Sequence, residues 1–323
     1  MIRLQRKTSW IQRLSFFFVA YTCVTTTFAA VPSLTNPNIK KVSPHVYALI
    51  GDMDVPNPAN QAFICNSVFV VTQTGVVVID PGGSLQVGKM ILAQIRTITA
   101  KPVTHVFNTH HHADHWMGNQ AFASLKPRPK FLAHAVMRNT AAEIGERWIT
   151  IIADLTKGAN KGTKIVLPDT LVNGNETLKI GGMTFQLFHP AHAHTQGDIA
   201  LSIVEERVLM AGDILFHQRI PGWQDASPLG NEKALQDFLK LEVDQVIPGH
   251  GPVTDKMGIT AMLDYIQLLR KEVKHYLAEG LADFEMKDKI EMGPYRALSG
   301  FKDRFGINVN RMYLEVEAEA FGK

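Results

Sequence analysis

A dense cluster of histidines lies in the stretch NTHHHADHWMGN, where four histidines and an aspartate fall within six consecutive positions. Imidazole nitrogens and carboxylate oxygens bind zinc at about 2.0–2.2 Å. On an extended segment, side chains two residues apart point to the same side, so His110 and His112 face one point. Asp114 and His115 follow at a turn and can face a neighbouring point, whereas His111 faces away from the first pair. The cluster therefore predicts metal binding, with His111 outside the ligand set.

Further side chains of the same types stand far along the chain. The stretch AHAHTQGD contains His192 and His194, MAGDILF contains Asp213, and VIPGHGP contains His250. Each stretch follows an apolar run and includes glycine or proline, which is typical of the loops at strand ends that carry functional residues. His192 and His194 are two residues apart, so an extended segment places both on the same side. Either histidine can join the cluster.

The order and spacing of these motifs resemble those of the metallo-β-lactamase-fold hydrolases, the MBL superfamily, from about residue 45 to residue 255. The matching motifs, in chain order, are His110-x-His112-x-Asp114-His115, His194-Thr-x-Gly-Asp, Gly212-Asp213 and Pro248-Gly249-His250-Gly251. The resemblance implies a four-layer αββα sandwich with a metal site at one edge of its two sheets. It also implies a zinc-dependent metallo-hydrolase.

The resemblance assigns metal ligands position by position. It implies one zinc held by His110, His112 and His194, a second held by Asp114, His115 and His250, and Asp213 bridging the two. His194 is preferred over its rival His192 because it precedes TQGD, as the third histidine of the family does. Asp80, in VIDPGG, matches the strand-end aspartate of the family, and we expect it to orient the ligand loop.

The implied chemistry is hydrolysis with two Zn²⁺ per chain. A hydroxide bridging the two metals would attack a carboxylic ester, lactone, thioester or amide of a small-molecule substrate. Asp114 is the candidate catalytic residue, because it can also handle a proton. The chain has no GxSxG setting for a serine nucleophile.

Three alternatives stay open at this point. β-Lactam hydrolysis is one, although the β-lactamase subclasses of this fold carry cysteine or serine where this chain has Asp213. A mononuclear Fe²⁺ dioxygenase acting on persulfides would need only His110, His194 and Asp213, and the complete second set argues against it. A non-catalytic accessory protein is the third. Three segments are also similar to those of periplasmic zinc metallohydrolases linked with quinoprotein dehydrogenase systems: VIDPGGSLQVG, NTHHHADHWMGNQAF and FLAH.

The elements that must position these residues follow from the apolar pattern. AFICNSVFVV and GVVVID predict a hairpin, Ser84 predicts the start of a helix, and PVTHVFNT predicts a buried strand that leads into the cluster. Residues 131–155 are predicted to be mostly helical, and TLKIGGMTFQLFHP and DIALSIVEERVLMAGD predict two more hairpins. Strand pairs interleaved with helices indicate a layered α/β protein.

Three segments are expected along the chain. Residues 1–30 have a basic start, an apolar run and no acid, which indicates a cleaved signal peptide and a periplasmic or secreted protein. Residues 31–255 form the catalytic domain, and residues 256–323 form a helical C-terminal extension packed on it. The chain carries a net charge of +3, and its first 30 residues contain four positive charges, so the remainder is near −1. We therefore expect no nucleic-acid partner and, after cleavage, no stable membrane insertion; the oligomeric state stays open.

Candidate substrate-facing residues lie in two loops and beside the histidine cluster, where Trp116 and Met117 adjoin it. The loop at residues 51–61 occupies the position where the family often carries a flap, so Met53 and Val55 are candidates to cover an apolar substrate. His217, Arg219 and Trp223 follow Asp213 in a second loop, which can line the pocket. Local packing is an equally good explanation for each of these residues.

Overall fold

Two β-sheets packed face to face form the interior of the protein. The computed structural model describes Leu34 and residues 39–322, so the predicted signal peptide lies outside the described residues. The first sheet has seven strands in chain order: β1 Ile39–Lys41, β2 Val46–Leu49, β3 Ser67–Val71, β4 Val76–Ile79, β5 Val103–Phe107, β6 Lys130–His134 and β7 Thr170–Val172. The second sheet has five: β8 Thr177–Ile180, β9 Met183–Phe188, β10 Ala200–Ile203, β11 Val208–Phe216 and β12 Gln245–His250, in the order β12-β11-β10-β9-β8.

Helices cover the outer faces of both sheets. They are α1 Leu85–Ile98, α2 Ala113–Trp116, α3 Asn119–Ala123, α4 Ala135–Leu155, α5 Pro228–Leu239, α6 Lys256–Ala278, α7 Asp283–Met286 and α8 Phe301–Ala320. Apolar residues of α1 and α3 pack on the first sheet, and those of α5, α6 and α8 pack on the second. The predicted αββα architecture with a helical C-terminal region is confirmed.

The core between the sheets consists of apolar side chains that alternate along the strands. Phe107 of β5 and Phe185 of β9 meet across the two sheets, with ring centroids 6.3 Å apart, and both are fully buried. Burying one such side chain stabilises the fold by about 1.5–3 kcal/mol. This packing fixes the distance between the sheets, and with it the distance between the loops at their common edge.

The strands that precede the predicted ligands are parallel pairs. β4 pairs in parallel with β5, and β11 pairs in parallel with β12. Parallel strands bring their carboxyl ends to the same edge of a sheet, where functional loops gather. The segments after β4 and β5 therefore meet the ends of β11 and β12 at one edge of the sandwich.

The helix predicted at residues 131–155 begins later than expected. Residues 131–134 belong to β6, which pairs in parallel with β5, and α4 begins at Ala135. A short apolar run such as FLA has no periodicity that distinguishes a strand from a helix, so its pairing in the sheet decides. Helix α1 starts after Ser84 as predicted, because the Ser84 side chain accepts a hydrogen bond from the Val87 amide.

The C-terminal region is helical, as predicted. Helix α6 buries Ile259, Ile266 and Leu269, and α8 buries Val309 in the same apolar cluster. Among the described residues, none of the helices combines the length and the apolar character that a membrane crossing requires.

Candidate metal centre

The seven side chains assigned to metal binding from the sequence converge at one edge of the sandwich. Five of them lie in the loop and short helix after β5 or on β11, and the others come from the loop after β9 and the end of β12. Their ligand atoms form two groups, His110 with His112, His194 and Asp213, and Asp114 with His115 and His250. Within each group all ligand atoms lie within 4.8 Å of one another.

The first group is built from three histidines and one carboxylate. His112 Nδ1 lies 3.1 Å from His110 Nε2 and 2.8 Å from His194 Nε2. Asp213 Oδ2 lies 3.3 Å from His194 Nε2 and 3.8 Å from His110 Nε2. His192 takes no part, since its Nε2 lies 2.8 Å from the Asp225 carbonyl oxygen. Of the two rival histidines, the structure places His194 in the group.

The second group shares Asp213 with the first. Asp114 Oδ2 lies 3.5 Å from His115 Nε2 and 3.3 Å from His250 Nε2. Asp213 Oδ1 lies 3.2 Å from His115 Nε2, and Asp213 Oδ2 lies 3.2 Å from His250 Nε2. Each oxygen of Asp213 therefore faces a histidine of the second group, and Oδ2 also faces His110 and His194 of the first group.

The donor atoms fit divalent metal ions. Two ligands about 2.0–2.1 Å from a tetrahedral ion are separated by about 3.3 Å, which is close to most of the spacings above. His115 Nε2 and Asp213 Oδ1 are buried and have no hydrogen-bond partner among the described residues, although they face each other. Unpartnered buried polar atoms are costly, and a metal ion between them would satisfy both.

The electrostatics of the centre also favour cations. Burial lowers the pKa of His194 to about 3, and burial together with the charge of His115 holds the pKa of His110 well below its ordinary value. Both imidazoles are thus neutral, as metal ligation requires. Burial alone would raise the pKa of the Asp213 carboxyl, but His250 and the other histidines hold it well below its ordinary value. The carboxylate is therefore charged.

Asp80 contacts both ends of the ligand loop, residues 109–115. Its Oδ2 lies 2.8 Å from His115 Nδ1 and accepts a hydrogen bond from Thr109 Oγ1 at 2.7 Å, while Oδ1 accepts from the Thr109 amide at 2.8 Å. Thr109 Oγ1 in turn lies 3.0 Å from His110 Nδ1. Metal-binding histidines commonly donate their second nitrogen to such a carboxylate, which orients the ring.

Two further contacts fix ligands of the second sheet. His250 Nδ1 lies 2.7 Å from the Ile64 carbonyl oxygen, so Nδ1 carries the proton and Nε2 faces the centre. Glycine is required at position 249, because a Cβ there would come 1.9 Å from Asp213 Oδ1. The PGHG motif thus makes room for the shared carboxylate as well as supplying a histidine.

The sequence patterns did not indicate Asp225. Its Oδ2 lies 2.9 Å from His112 Nε2 and 3.6 Å from His111 Nε2, so it contacts the ring nitrogen of His112 that faces away from the centre. Hydrogen bonds from His111 and His112 lower the pKa of the Asp225 carboxyl. Asp225 lies in a loop without a recognisable motif, and no local pattern could have identified it.

A cavity of about 350 Å³ opens beside the centre. Of the candidate substrate-facing residues, Val55 and Arg219 line it, whereas Met53 and His217 do not. Trp223 is fully buried and packs in the core below the cavity. The remaining walls include Trp148, Ile152, Leu155, Phe216 and Arg304.

Comparison with known proteins identifies the class. The model of the metallo-beta-lactamase superfamily matches residues 60–250, and the chain belongs to this superfamily. A linear primary-alkylsulfatase from Pseudomonas sp. (strain ATCC 19151) is 23% identical over 262 residues, which cover 69% of this chain and 49% of the relative. A type 2 metallo-beta-lactamase from Bacillus sp. (strain 170) is 24% identical over 218 residues, which cover 64% of this chain and 74% of the relative. The chain thus spans about half the length of the alkylsulfatase.

Solved structures share the fold. A metallo-beta-lactamase from Pontibacter korlensis superposes with a TM-score of 0.59 at 20% identity, covering 71% of this chain and 98% of that one. The stereoselective inverting sec-alkylsulfatase Pisa1 from Pseudomonas sp. gives a TM-score of 0.68 at 16% identity, covering 86% of this chain and 50% of that one. At these identities the likeness establishes the architecture alone.

Proposed function

We propose that the protein is a dinuclear zinc hydrolase that cleaves a carboxylic ester, lactone, thioester or amide of a small molecule. The observation that supports this most directly is the position of Asp213, whose two oxygens face histidines of both ligand groups. A shared carboxylate is what holds two metal ions close together in a two-metal site.

The residues at this centre would have two roles, metal binding and proton transfer. His110, His112 and His194 would hold one zinc, and Asp114, His115 and His250 the other, with Asp213 between them. Bound zinc supplies a water of lowered pKa and polarises the bond that is cut. Asp114 lines the cavity with a mostly buried side chain, so its carboxylate could accept a proton from the attacking water and deliver it to the leaving group.

A second candidate is the hydrolysis of a sulfate ester. Two linear primary-alkylsulfatases are among the relatives, and the longer of the two alignments covers 85% of this chain. That stretch includes part of the C-terminal helical region, which the superfamily model does not cover. β-Lactam hydrolysis is a third possibility to test, because type 2 metallo-beta-lactamases are relatives as well.

The test begins with the metal content per chain of protein purified without chelator. Two zincs per chain, together with turnover of one substrate class among esters, lactones, thioesters, amides, sulfate esters and β-lactams, is the expected result. One iron per chain with oxygen-dependent turnover of a persulfide would replace the hydrolase with a dioxygenase. Protein that takes up no added metal would end the metalloenzyme proposal.

Export is proposed on the sequence alone. The basic start and apolar run of residues 1–30 support cleavage after Ala29 or Ala30. N-terminal sequencing of the protein from the periplasmic fraction would give Ala30 or Val31 as the first residue. An intact Met1 in cytoplasmic protein would contradict the proposal.

A further inference from the structure

Two arginine side chains without a carboxylate partner line the cavity beside the metal centre. Arg219 follows β11 and Arg304 lies in the first turn of α8, and both face the space that Asp114 and Asp213 also reach. Elsewhere in the described residues, some arginines pair with carboxylates (Arg128, Arg207 and Arg270) and others donate to backbone carbonyls (Arg96, Arg138 and Arg311). Within residues 39–322, neither of the two cavity arginines forms an ion pair, so their charges are available to a ligand.

Arg219 is the more deeply buried of the two. It is 3% exposed, one of its terminal nitrogens donates a hydrogen bond to the Met53 carbonyl at 3.2 Å, and its buried Nε has no partner in the described part of the chain. Burial, followed by the charge of Arg304, lowers the pKa of Arg219 to about 10, so the side chain is still charged at neutral pH. A buried, charged and incompletely hydrogen-bonded guanidinium is costly unless an anion contacts it.

Arg304 is supplied by the C-terminal region, outside the match to the superfamily model. The glycine at position 300 gives its side chain room. A Cβ at Gly300 would come 2.5 Å from a terminal nitrogen of Arg304. Ser299 Oγ also donates to the Met53 carbonyl, at 3.1 Å. The extension is therefore joined to the flap loop, and it completes the cavity.

The acidic side chains of the cavity do not neutralise this pair. Asp114 and Asp213 face the histidines of the metal centre, and bound metal ions would offset their charge. Asp225 contacts His111 and His112 instead. The remaining charge that faces the cavity is positive, which favours an anionic ligand.

We propose that the substrate carries an anionic group, a carboxylate or a sulfate, which Arg219 and Arg304 bind beside the metal centre. Val55, Trp148 and Leu155 form an apolar wall of the same cavity, so the substrate has an apolar part next to its anionic group. The claim about the substrate rests on the proposed hydrolase function, whereas the binding of the anion does not.

The experiment compares Arg304→Gln with Lys302→Gln. Lys302 is an exposed residue two positions away on the same helix and does not line this cavity, so the control removes the same charge. Calorimetry on the purified, zinc-loaded protein measures the affinity for glutarate and for butyl sulfate. The kcat/KM values for mono-4-nitrophenyl glutarate and for the neutral 4-nitrophenyl butyrate are measured in parallel.

Arg304→Gln is expected to weaken binding of the preferred anion about tenfold, as for the loss of one charge-assisted hydrogen bond. Lys302→Gln changes the affinity less than twofold, and the tighter of the two ligands identifies carboxylate or sulfate as the preferred group. Arg219→Lys keeps the charge but loses the planar donor pair, so it weakens binding several-fold.

The two proposals fail in different ways. If no substrate of the six classes named above is hydrolysed but Arg304→Gln still loses affinity, the hydrolase assignment fails and the anion site stands. If both esters are hydrolysed and the Arg304→Gln protein binds both anions like the Lys302→Gln protein, the anion site is wrong and the hydrolase assignment stands. Thermal unfolding of each variant verifies that it is folded before affinities are compared.

Discussion

The Asp80 carboxylate lies 2.8 Å from Nδ1 of His115, and both side chains are completely buried. The same carboxylate accepts two hydrogen bonds from Thr109, so three donors converge on its two oxygens. Asp80 itself adopts a φ of 54°, which aspartate and asparagine tolerate better than other side chains. One residue at the end of β4 thus orients a metal-binding imidazole and the start of the ligand loop together.

Replacing Asp80 with asparagine should weaken metal binding by about 10- to 100-fold. Asparagine suits the backbone conformation, but its NH₂ group cannot accept, so at least one of the three buried donors loses its partner. Competition with a chromogenic chelator measures the affinity. Asp169→Asn is the matched control, because Asp169 pairs with Arg128 at the surface. Unchanged zinc affinity in Asp80→Asn would contradict this role.

Removing the Asp225 side chain should have a smaller effect on the same measurement. Asp225 is half-exposed and contacts His112 Nε2 at 2.9 Å, so Asp225→Ala frees the outer nitrogen of one ligand. We expect about a tenfold loss of zinc affinity for Asp225→Ala and an intermediate loss for Asp225→Asn, which can still accept a hydrogen bond. Asp237→Ala on the exposed face of α5 serves as the control. Equal affinities for Asp225→Ala and the control would show that the contact does not orient His112.

The contrast between Asp80 and Asp225 shows which parts of the centre a sequence can reveal. Asp80 and the seven residues assigned as ligands stand in short motifs after apolar runs, and the resemblance of these motifs to the metallo-β-lactamase-fold hydrolases implies their roles. Asp225 is 113 residues from His112 along the chain and follows no motif, so only the tertiary packing of its loop places it. Arg219 was one candidate among several for the pocket, but nothing in the sequence indicated that Arg304 would join it.

The secondary structure also divides into elements that local sequence patterns predict and elements that they do not. Strand pairs around TQTG and the helix after Ser84 were predicted because turn and cap residues mark them. The sequence does not distinguish strand β6 from a helix, because its apolar residues are too few to show a period. Its strand conformation depends on hydrogen bonds to β5, and the local sequence does not show this pairing.

Replacing Gly249 with alanine should displace the shared carboxylate. The added Cβ would lie 1.9 Å from Asp213 Oδ1 and 2.7 Å from the Gly212 carbonyl carbon, so the side chain or β11 must move. We expect loss of most zinc from both groups and of nearly all hydrolytic activity, because Asp213 serves both. Gly306→Ala in α8 is the control, since its Cβ meets only the flexible Lys287 side chain and alanine favours a helix. Retention of two zincs in Gly249→Ala would show that the centre tolerates this displacement.

Zinc binding should release protons near neutral pH, and they should come from the second group. Burial alone would lower the pKa of His115, but Asp213 and Asp114 outweigh it and hold that pKa well above 6.5; the pKa of His250 is raised in the same way, with Asp213 the main charge. His115 therefore holds a proton in the metal-free protein at pH 7, and His250 holds one in a larger fraction of molecules than an ordinary imidazole, whereas His194, with a pKa of about 3, holds none. Calorimetry in buffers of different ionisation enthalpy should therefore give more than one proton released per chain at pH 7.

The same pKa shifts make the stability of the metal-free protein depend on pH. A histidine whose pKa is raised on folding stabilises the native state below its unfolded value near 6.5, and this contribution is lost as the pH rises through the folded pKa. Metal-free protein should therefore become easier to unfold by urea as the pH rises above about 6.5, whereas zinc removes the dependence by taking the place of the protons. His250→Gln should release fewer protons and flatten the urea profile, and the exposed His275→Gln should change neither. Equal proton release by the two variants would mean that His250 is already neutral before the metal binds.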